Sequence, residues 1–298
     1  MCRVAAAAIS LVVACRFDFD PRPDASVADA CTFGPFGAPV ELAELDSTTD
    51  ELGPWMSDDR LEIWFSSRRS GSKQLYHSRR TMPTATFEPP ALVDLGIGGT
   101  GNDPFVTADR LTLWFVYNPT GASIDDALYI ATRASTSDQF ASPQPVIEVG
   151  SAYGQSTPSL TADELTVAFM STRPGDPGNG DLYLATRASA MGPFDPPRPI
   201  VELNTPGAEC CPSLARDGSS LVYASDVVTP GQQRIVVTAR SGGTFEAPQL
   251  LDPMLSAPTG VENDPSLSLD GATLVFASTR TGGTGSSDLY VATRSCTQ

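Results

Sequence analysis

Hydrophobic and polar residues along the chain follow one pattern five times over. Pro54, Pro104, Pro158, Pro212 and Pro265 are spaced by 50, 54, 54 and 53 residues, and an aspartate stands five residues after each (Asp59, Asp109, Asp163, Asp217, Asp270). Eleven residues after each proline is an aromatic, Phe65, Phe115, Phe169, Tyr223 or Phe276. Two residues before that aromatic is an aliphatic, Ile63, Leu113, Val167, Leu221 or Leu274. Alternation of apolar and polar side chains with period two marks strands, and Asp-Gly or a similar pair between them marks a tight turn. A third strand follows a Gly/Ser/Pro-rich loop, at Leu75-Tyr76, Leu128-Tyr129, Leu182-Tyr183, Ile235-Val236 and Leu289-Tyr290. It closes on Arg80, Arg133, Arg187, Arg240 or Arg294. A fourth strand is expected to start at Phe-x-x-Pro, as in Phe87/Pro90, Phe140/Pro143, Phe194/Pro197 and Phe245/Pro248.

Four strands in about 50 residues make one blade of a β-propeller. The fifth unit ends before its fourth strand, and the missing piece stands at the other end of the chain, Phe36-Gly37-Ala38-Pro39-Val40. The expected fold is therefore all-β: a single five-bladed propeller over residues 33–298, with four-stranded antiparallel blades and the ring closed by the N-terminal strand. Closure removes the open sheet edges that invite aggregation. Cys31 and Cys296 flank the closure, and a disulfide between them would lock it.

The amino end differs in character. Val4 to Ala14 is an apolar run behind Arg3, too short to span a bilayer as a helix and of signal-peptide size. It leads into Ala14-Cys15. A small residue before cysteine is similar to the bacterial lipobox, which makes residues 1–14 a lipoprotein signal and Cys15 the lipidated residue. An ordinary secretory signal, or a misplaced start codon, are the alternatives. Residues 15–32, rich in Asp, Pro and Ala, read as a flexible tether. Export places the protein at a bacterial cell envelope, facing the periplasm or the surface, in a compartment that permits disulfides.

Charge narrows the partners. Nineteen Lys and Arg against 35 Asp and Glu give a net charge of −16, which repels phosphate backbones and excludes nucleic acid. The single histidine, His77, removes polyhistidine metal sites and leaves a Ser-His-Asp triad improbable. It replaces an aliphatic in the third strand of the first unit and reads as a packed or edge residue. No phosphate loop, dinucleotide fingerprint or nucleophile elbow is present.

The units as a whole, Pro-Ser-Leu-x-x-Asp-Gly-x-x-Leu-x-Phe-x-Ser-x-Arg followed by Asp-Leu-Tyr-x-Ala-Thr-Arg, resemble the WD-like propeller repeat of TolB-type periplasmic proteins. Pro158 to Arg187 and Pro265 to Arg294 match best. The resemblance implies an envelope propeller acting through protein contacts and implies no reaction. Units two and four depart from it. Pro119 and Val227 replace the arginine that Arg173 and Arg280 represent, and Ala127 and Arg234 replace the aspartate that Asp181 and Asp288 represent. This joint presence and absence predicts an ion pair across the loop.

Residues just before each proline open the innermost strands and are expected to ring one mouth of the central channel. They are Glu51, Gly101, Gln155, Glu209 and Glu262, with Asn102, Asp103, Asn263 and Asp264 beside them. Such carboxylates and amides suit a Ca²⁺ ion or a sugar, or else they cap turns and bond to the next blade's backbone. Five-bladed glycoside hydrolases place carboxylates in the same region, so Glu209 and Glu262 are the candidate acid and base of a glycan-active alternative. Catalytic groups should break a repeat, and these do not. Cys210-Cys211 does break it, and reads as a vicinal disulfide at the mouth, a reduced pair or a metal-binding pair. The loop from Arg173 to Asp181 carries several oxygen ligands but is shorter than an EF-hand. Trp64 and Trp114 read as packing between blades. The expectation is a monomeric, non-catalytic scaffold that binds an envelope protein or a glycan, needs no cofactor, and meets the membrane only through its lipid.

Overall fold

Each proline-centred unit folds as the alternation requires. The computed structural model describes residues 32–298 except 175–177, 179, 269 and 298, so the signal segment, Cys15, the tether and Cys31 lie outside the described residues. Blade 1 runs Glu51–Met56, Glu62–Ser67, Gln74–Arg79 and Ala91–Leu92. Blade 2 runs Thr100–Val106, Thr112–Asn118, Ala127–Thr132 and Ala141–Pro145. Blade 3 runs Gln155–Leu160, Thr166–Ser171, Asp181–Thr186 and Arg198–Pro199. Blade 4 runs Glu209–Leu214, Ser220–Ser225, Arg234–Ser241 and Gln249–Leu250. Blade 5 has Glu262–Leu267, Thr273–Ser278 and Asp288–Thr293, and its outer strand is Val40–Glu41 from the amino end.

Ring closure is therefore as the missing fourth strand predicts. Val40 pairs with Val291 and Glu41 with Tyr290, and Thr32–Phe33 pairs with Cys296–Thr297. The outer strands begin just after the proline of Phe-x-x-Pro in blades 1, 3, 4 and 5, and just after Phe140 in blade 2, rather than at the phenylalanine. The phenylalanines are instead buried plugs: Phe87, Phe140, Phe194, Phe245 and Phe36 are all 7% exposed or less.

The terminal arginine of each third strand lies over the plug. Arg80, Arg133 and Arg187 sit 4.2, 4.4 and 4.4 Å from the rings of Phe87, Phe140 and Phe194, and Arg294 lies over both Phe33 and Phe36. Their Nε atoms donate to carbonyls in the turn between the first two strands, Arg80 to Arg60, Arg133 to Arg110, Arg187 to Glu164 and Arg294 to Gly271. One side chain thus ties a strand end, a turn and an aromatic plug together. The repeated aspartates hold those turns: Asp59, Asp109, Asp163, Asp217 and Asp270 each accept the N–H two residues on.

The core is divided. Five apolar clusters each lie between neighbouring blades, so that Phe169 and Tyr183 of blade 3 pack with Trp114 and Val116 of blade 2, and Leu42 and Leu45 pack between blades 5 and 1. No helix among the described residues is long and apolar enough to cross a membrane.

Candidate functional site

At the axis, all five innermost strands carry a bulge where the proline stands, with the register broken between Leu52 and Trp55 in blade 1 and at the matching points of the others. The residue before each proline takes a left-handed backbone: Gly53 (φ 58°), Asp103 (47°), Thr157 (51°), Cys211 (63°) and Asp264 (50°). For a β-branched residue such as Thr157 this conformation is an outlier. Each of the four non-glycine residues costs of order 1–3 kcal/mol, so the surrounding packing must impose it. The five bulges turn their residues onto a common central cavity of about 40 Å³, lined on one side by Trp55 and Phe105 and on the other by Ser159, Ser213 and Ser266.

Asp103 and Asp264 line this cavity. Asp264 accepts the Gly53 N–H at 3.0 Å and Asp103 the Thr157 N–H at 3.3 Å, each reaching the following blade around the ring. Ser159 and Ser213 do the same for the N–H groups of Leu214 and Leu267. Burial, reinforced by the charge of Asp264, pushes the Asp103 carboxyl up to about 7, and burial raises Asp264 also. Two carboxyls in one small buried space do not both ionise readily.

The candidates three residues before the proline have other partners and are not among the residues lining the cavity. Glu51 accepts from Ser47 N (2.9 Å), Ser67 Oγ (2.7 Å) and Arg69 (3.2 Å). Glu209 accepts from Thr205 N and Oγ1 at 2.9 and 2.7 Å. Glu262 accepts from Ala257 N at 2.9 Å and pairs with Arg234 at 2.6 Å and Arg280 at 3.5 Å. Gln155 donates to Ser151 Oγ and the Tyr153 carbonyl. Each of these side chains is 1% exposed or less and fixes the loop that enters its own blade. Asn102 and Asn263 stand half-buried two residues before the prolines, and each has an Oδ1 without a partner in the described residues.

The expected loop-spanning ion pair is not what Arg280 makes. Among the described residues its carboxylate partner is Glu262, not Asp288. Its Nε donates to Ser278 Oγ and its Nη2 to the Leu255 carbonyl, and the guanidinium lies over Phe276 and Tyr290. Arg69 and Arg173 repeat this arrangement, on Ser67 and Leu45 and on Ser171 and Val149. The aromatic pair draws the guanidinium across the strands, away from the loop. In blade 4, which lacks this arginine, Arg234 supplies the charge to Glu262 of the next blade.

The sulfurs of Cys210 and Cys211 face each other, and Cys211 lines the central cavity. Part of the Arg173–Asp181 loop lies outside the described residues. Among the described residues a group of three carboxylates, Glu41, Asp46 and Asp288, brings oxygens within 4.8 Å of one another at the closure seam. Burial lifts Asp46 to about 7, and Asp288 and Glu51 add to the rise.

A second group has no counterpart in the repeat. Glu62 is buried and lies 3.5 Å from His77, 3.5 Å from Arg79, 3.7 Å from Arg110 and 3.9 Å from Arg133. Burial opposes its ionisation, but His77 and the arginines outweigh this and hold its carboxyl below the ordinary value. His77 stacks on Trp64 at 4.1 Å, and Trp64 meets Phe140 of blade 2 edge-on. The sequence signal for this group was the substitution at His77. Glu62 and Arg79 are equally exceptional, but strand pairing has to be known before their positions can be compared.

No family model matches the sequence, and none of the curated proteins is similar to it. Solved structures share the fold at low identity. A protein assigned as a TolB from Agrobacterium tumefaciens superposes with a TM-score of 0.52 at 13% identity, over 90% of this chain and 99% of that one. The GH62 α-L-arabinofuranosidase catalytic domain of Coprinopsis cinerea gives 0.55 at 14% over 89% and 96%. An α-L-arabinofuranosidase of Lactobacillus brevis gives 0.56 at 12% over 86% and 94%. The chain is a five-bladed β-propeller, similar in fold both to TolB proteins and to glycan-cleaving enzymes.

Proposed function

We propose that this propeller is a non-catalytic binding module, a monomeric scaffold for a glycan or a protein partner, carried to a bacterial envelope by its signal and held there by lipid on Cys15. The observation that carries the non-catalytic part is the size and use of the axial site. The space around Asp103 and Asp264, about 40 Å³, holds roughly three water molecules, and the adjoining axial space toward Asp58 and Asp59, about 210 Å³, is still below the roughly 300 Å³ at which small-molecule sites begin. Asp103 and Asp264 are each bonded to the neighbouring blade. Glu209 and Glu262, the acid and base that the sequence offers, are occupied in fixing loops.

The second reading, a glycan-active enzyme, draws on the same axis. Asp103 and Asp264 are carboxyls with raised proton affinity beside each other, and a protonated carboxyl at neutral pH is what a general acid requires. Release of aryl alcohol from aryl-glycosides separates the two readings. The module releases none, while an enzyme loses its activity on Asp103→Asn. For the anchor, Cys15→Ser is expected to move the protein from the membrane to the soluble fraction, and unchanged membrane association rejects lipidation at that residue.

A further inference from the structure

Grooves recur between blades, and their chemistry does not. The groove between blades 3 and 4 measures about 340 Å³ and is lined by Leu184, Thr186, Arg240 and Phe245. The groove between blades 1 and 2 measures about 360 Å³ and has His77, Arg79, Arg133 and Phe140 in the corresponding places. Strand register makes the comparison exact in residues. His77 lies opposite Trp64, where the other blades put Ile130, Leu184, Val237 and Val291. Glu62 pairs with Arg79, where the others pair Thr112 with Thr132, Thr166 with Thr186, Ser220 with Ala239 and Thr273 with Thr293. Three departures from the repeat therefore meet at one place.

They also bring a buried charged cluster to the wall between the two blades. Glu62, Trp64 and Arg133 are each more than nine-tenths buried. Glu62 Oε2 lies 3.5 Å from His77 Nε2 and 3.9 Å from Arg133 Nη2, ion pairs that no hydrogen bond among the described residues supplements at these atoms. Burying charged groups costs free energy even when they are paired, and a repeat that elsewhere uses Thr and aliphatics had a less costly solution available. The Arg133 guanidinium is otherwise committed, through Nε to the Arg110 carbonyl and through Nη1 to the Asp138 carbonyl.

We propose that the groove between blades 1 and 2 binds a neutral saccharide residue, its hydroxyl groups accepting from Arg79 and His77 and donating to Glu88, Asp94 and Asp138, all of which line the groove. A sugar hydroxyl is both donor and acceptor, which is what a mixed set of carboxylates and N–H groups demands. The groove has the size of a small-molecule site. An anionic ligand would meet the carboxylates of Glu88, Asp94 and Asp138, which line the groove. This inference rests on the glycan side of the proposed function.

The test titrates the full chain with xylotriose, cellotriose and N,N′,N″-triacetylchitotriose, and with trigalacturonate as the anionic control, followed by saturation-transfer NMR and tryptophan emission. The comparison variant is Glu62→Thr/His77→Ile/Arg79→Thr, which installs the residues of the sister blades and so should keep the fold, as checked by circular dichroism. A second variant, His77→Ile alone, covers the case in which the triple variant does not fold. At least one neutral trisaccharide should bind the native chain, and the triple variant should weaken it about tenfold or more. Binding that both variants leave unchanged removes this site and keeps the glycan module. Binding of trigalacturonate alone overturns the neutral-saccharide assignment. Binding of none of the three neutral probes overturns the inference, and a protein partner then carries the proposed function.

Discussion

Asp103 shows how a side chain two residues from its expected companions acquires a different role. Glu51, Glu209 and Glu262 point into loop networks, whereas the bulge turns Asp103 and Asp264 onto the axis. The proton affinity of Asp103 has a consequence for stability. Its carboxyl titrates near 7 when folded and near 3.8 when unfolded, so between these values the native state holds the extra proton. Stability from this group is complete below about 3.8 and is lost as pH rises through about 7. Asp46 acts in the same direction. We expect the melting temperature of Asp103→Asn to fall less between pH 4 and pH 7.5 than that of the native chain. Parallel curves for the two proteins reject a buried proton on Asp103. The sequence placed Asp103 near the axis but offered no means of telling it from Glu209, because the left-handed residue before proline follows from the bulge and no residue type announces it.

Within a blade, the elements are held by a device that the sequence displayed without explaining. The arginine closing each third strand was visible as a repeat, and its partners were not, since the plug phenylalanine lies several residues downstream and the turn carbonyl about twenty upstream. In blade 3, Arg187 binds the Glu164 carbonyl at 2.7 Å and lies 4.4 Å from the Phe194 ring. Replacing it by methionine keeps an apolar stem over the ring and removes the hydrogen bond and the charge. A loss of about 1–2 kcal/mol is expected in urea unfolding, and a loss within about 0.3 kcal/mol of zero denies the arginine its tying role. The predicted Arg280–Asp288 pair failed for a related reason. Joint presence of two residues in a repeat records a shared structural element, and Phe276 with Tyr290 competed for the guanidinium.

Across the whole molecule, the period of the prolines made the number of blades, their strand count and the closure by the amino end legible before any coordinates. The chemistry was less legible, because a repeat shows what is common and function resides in what is not. Cys210-Cys211 and His77 stood out, and the companions of His77, Glu62 and Arg79, became exceptional once strand register aligned the five blades. Closure itself can be probed at Phe36, which is 3% exposed and packs among Val222, Ile235 and Phe276. Phe36→Ala should cost about 3–5 kcal/mol, as for other buried aromatics. A cost under about 1 kcal/mol would show that the ring does not depend on its amino-terminal segment.

The central claim is that this propeller binds without chemical turnover. It is tested most directly by incubating the native chain at stoichiometric concentration with neutral oligosaccharides that it binds and following them by mass spectrometry. Bound oligosaccharides that remain intact agree with the account. Their cleavage by the native chain, abolished in Asp103→Asn, contradicts it and makes the axis an active site.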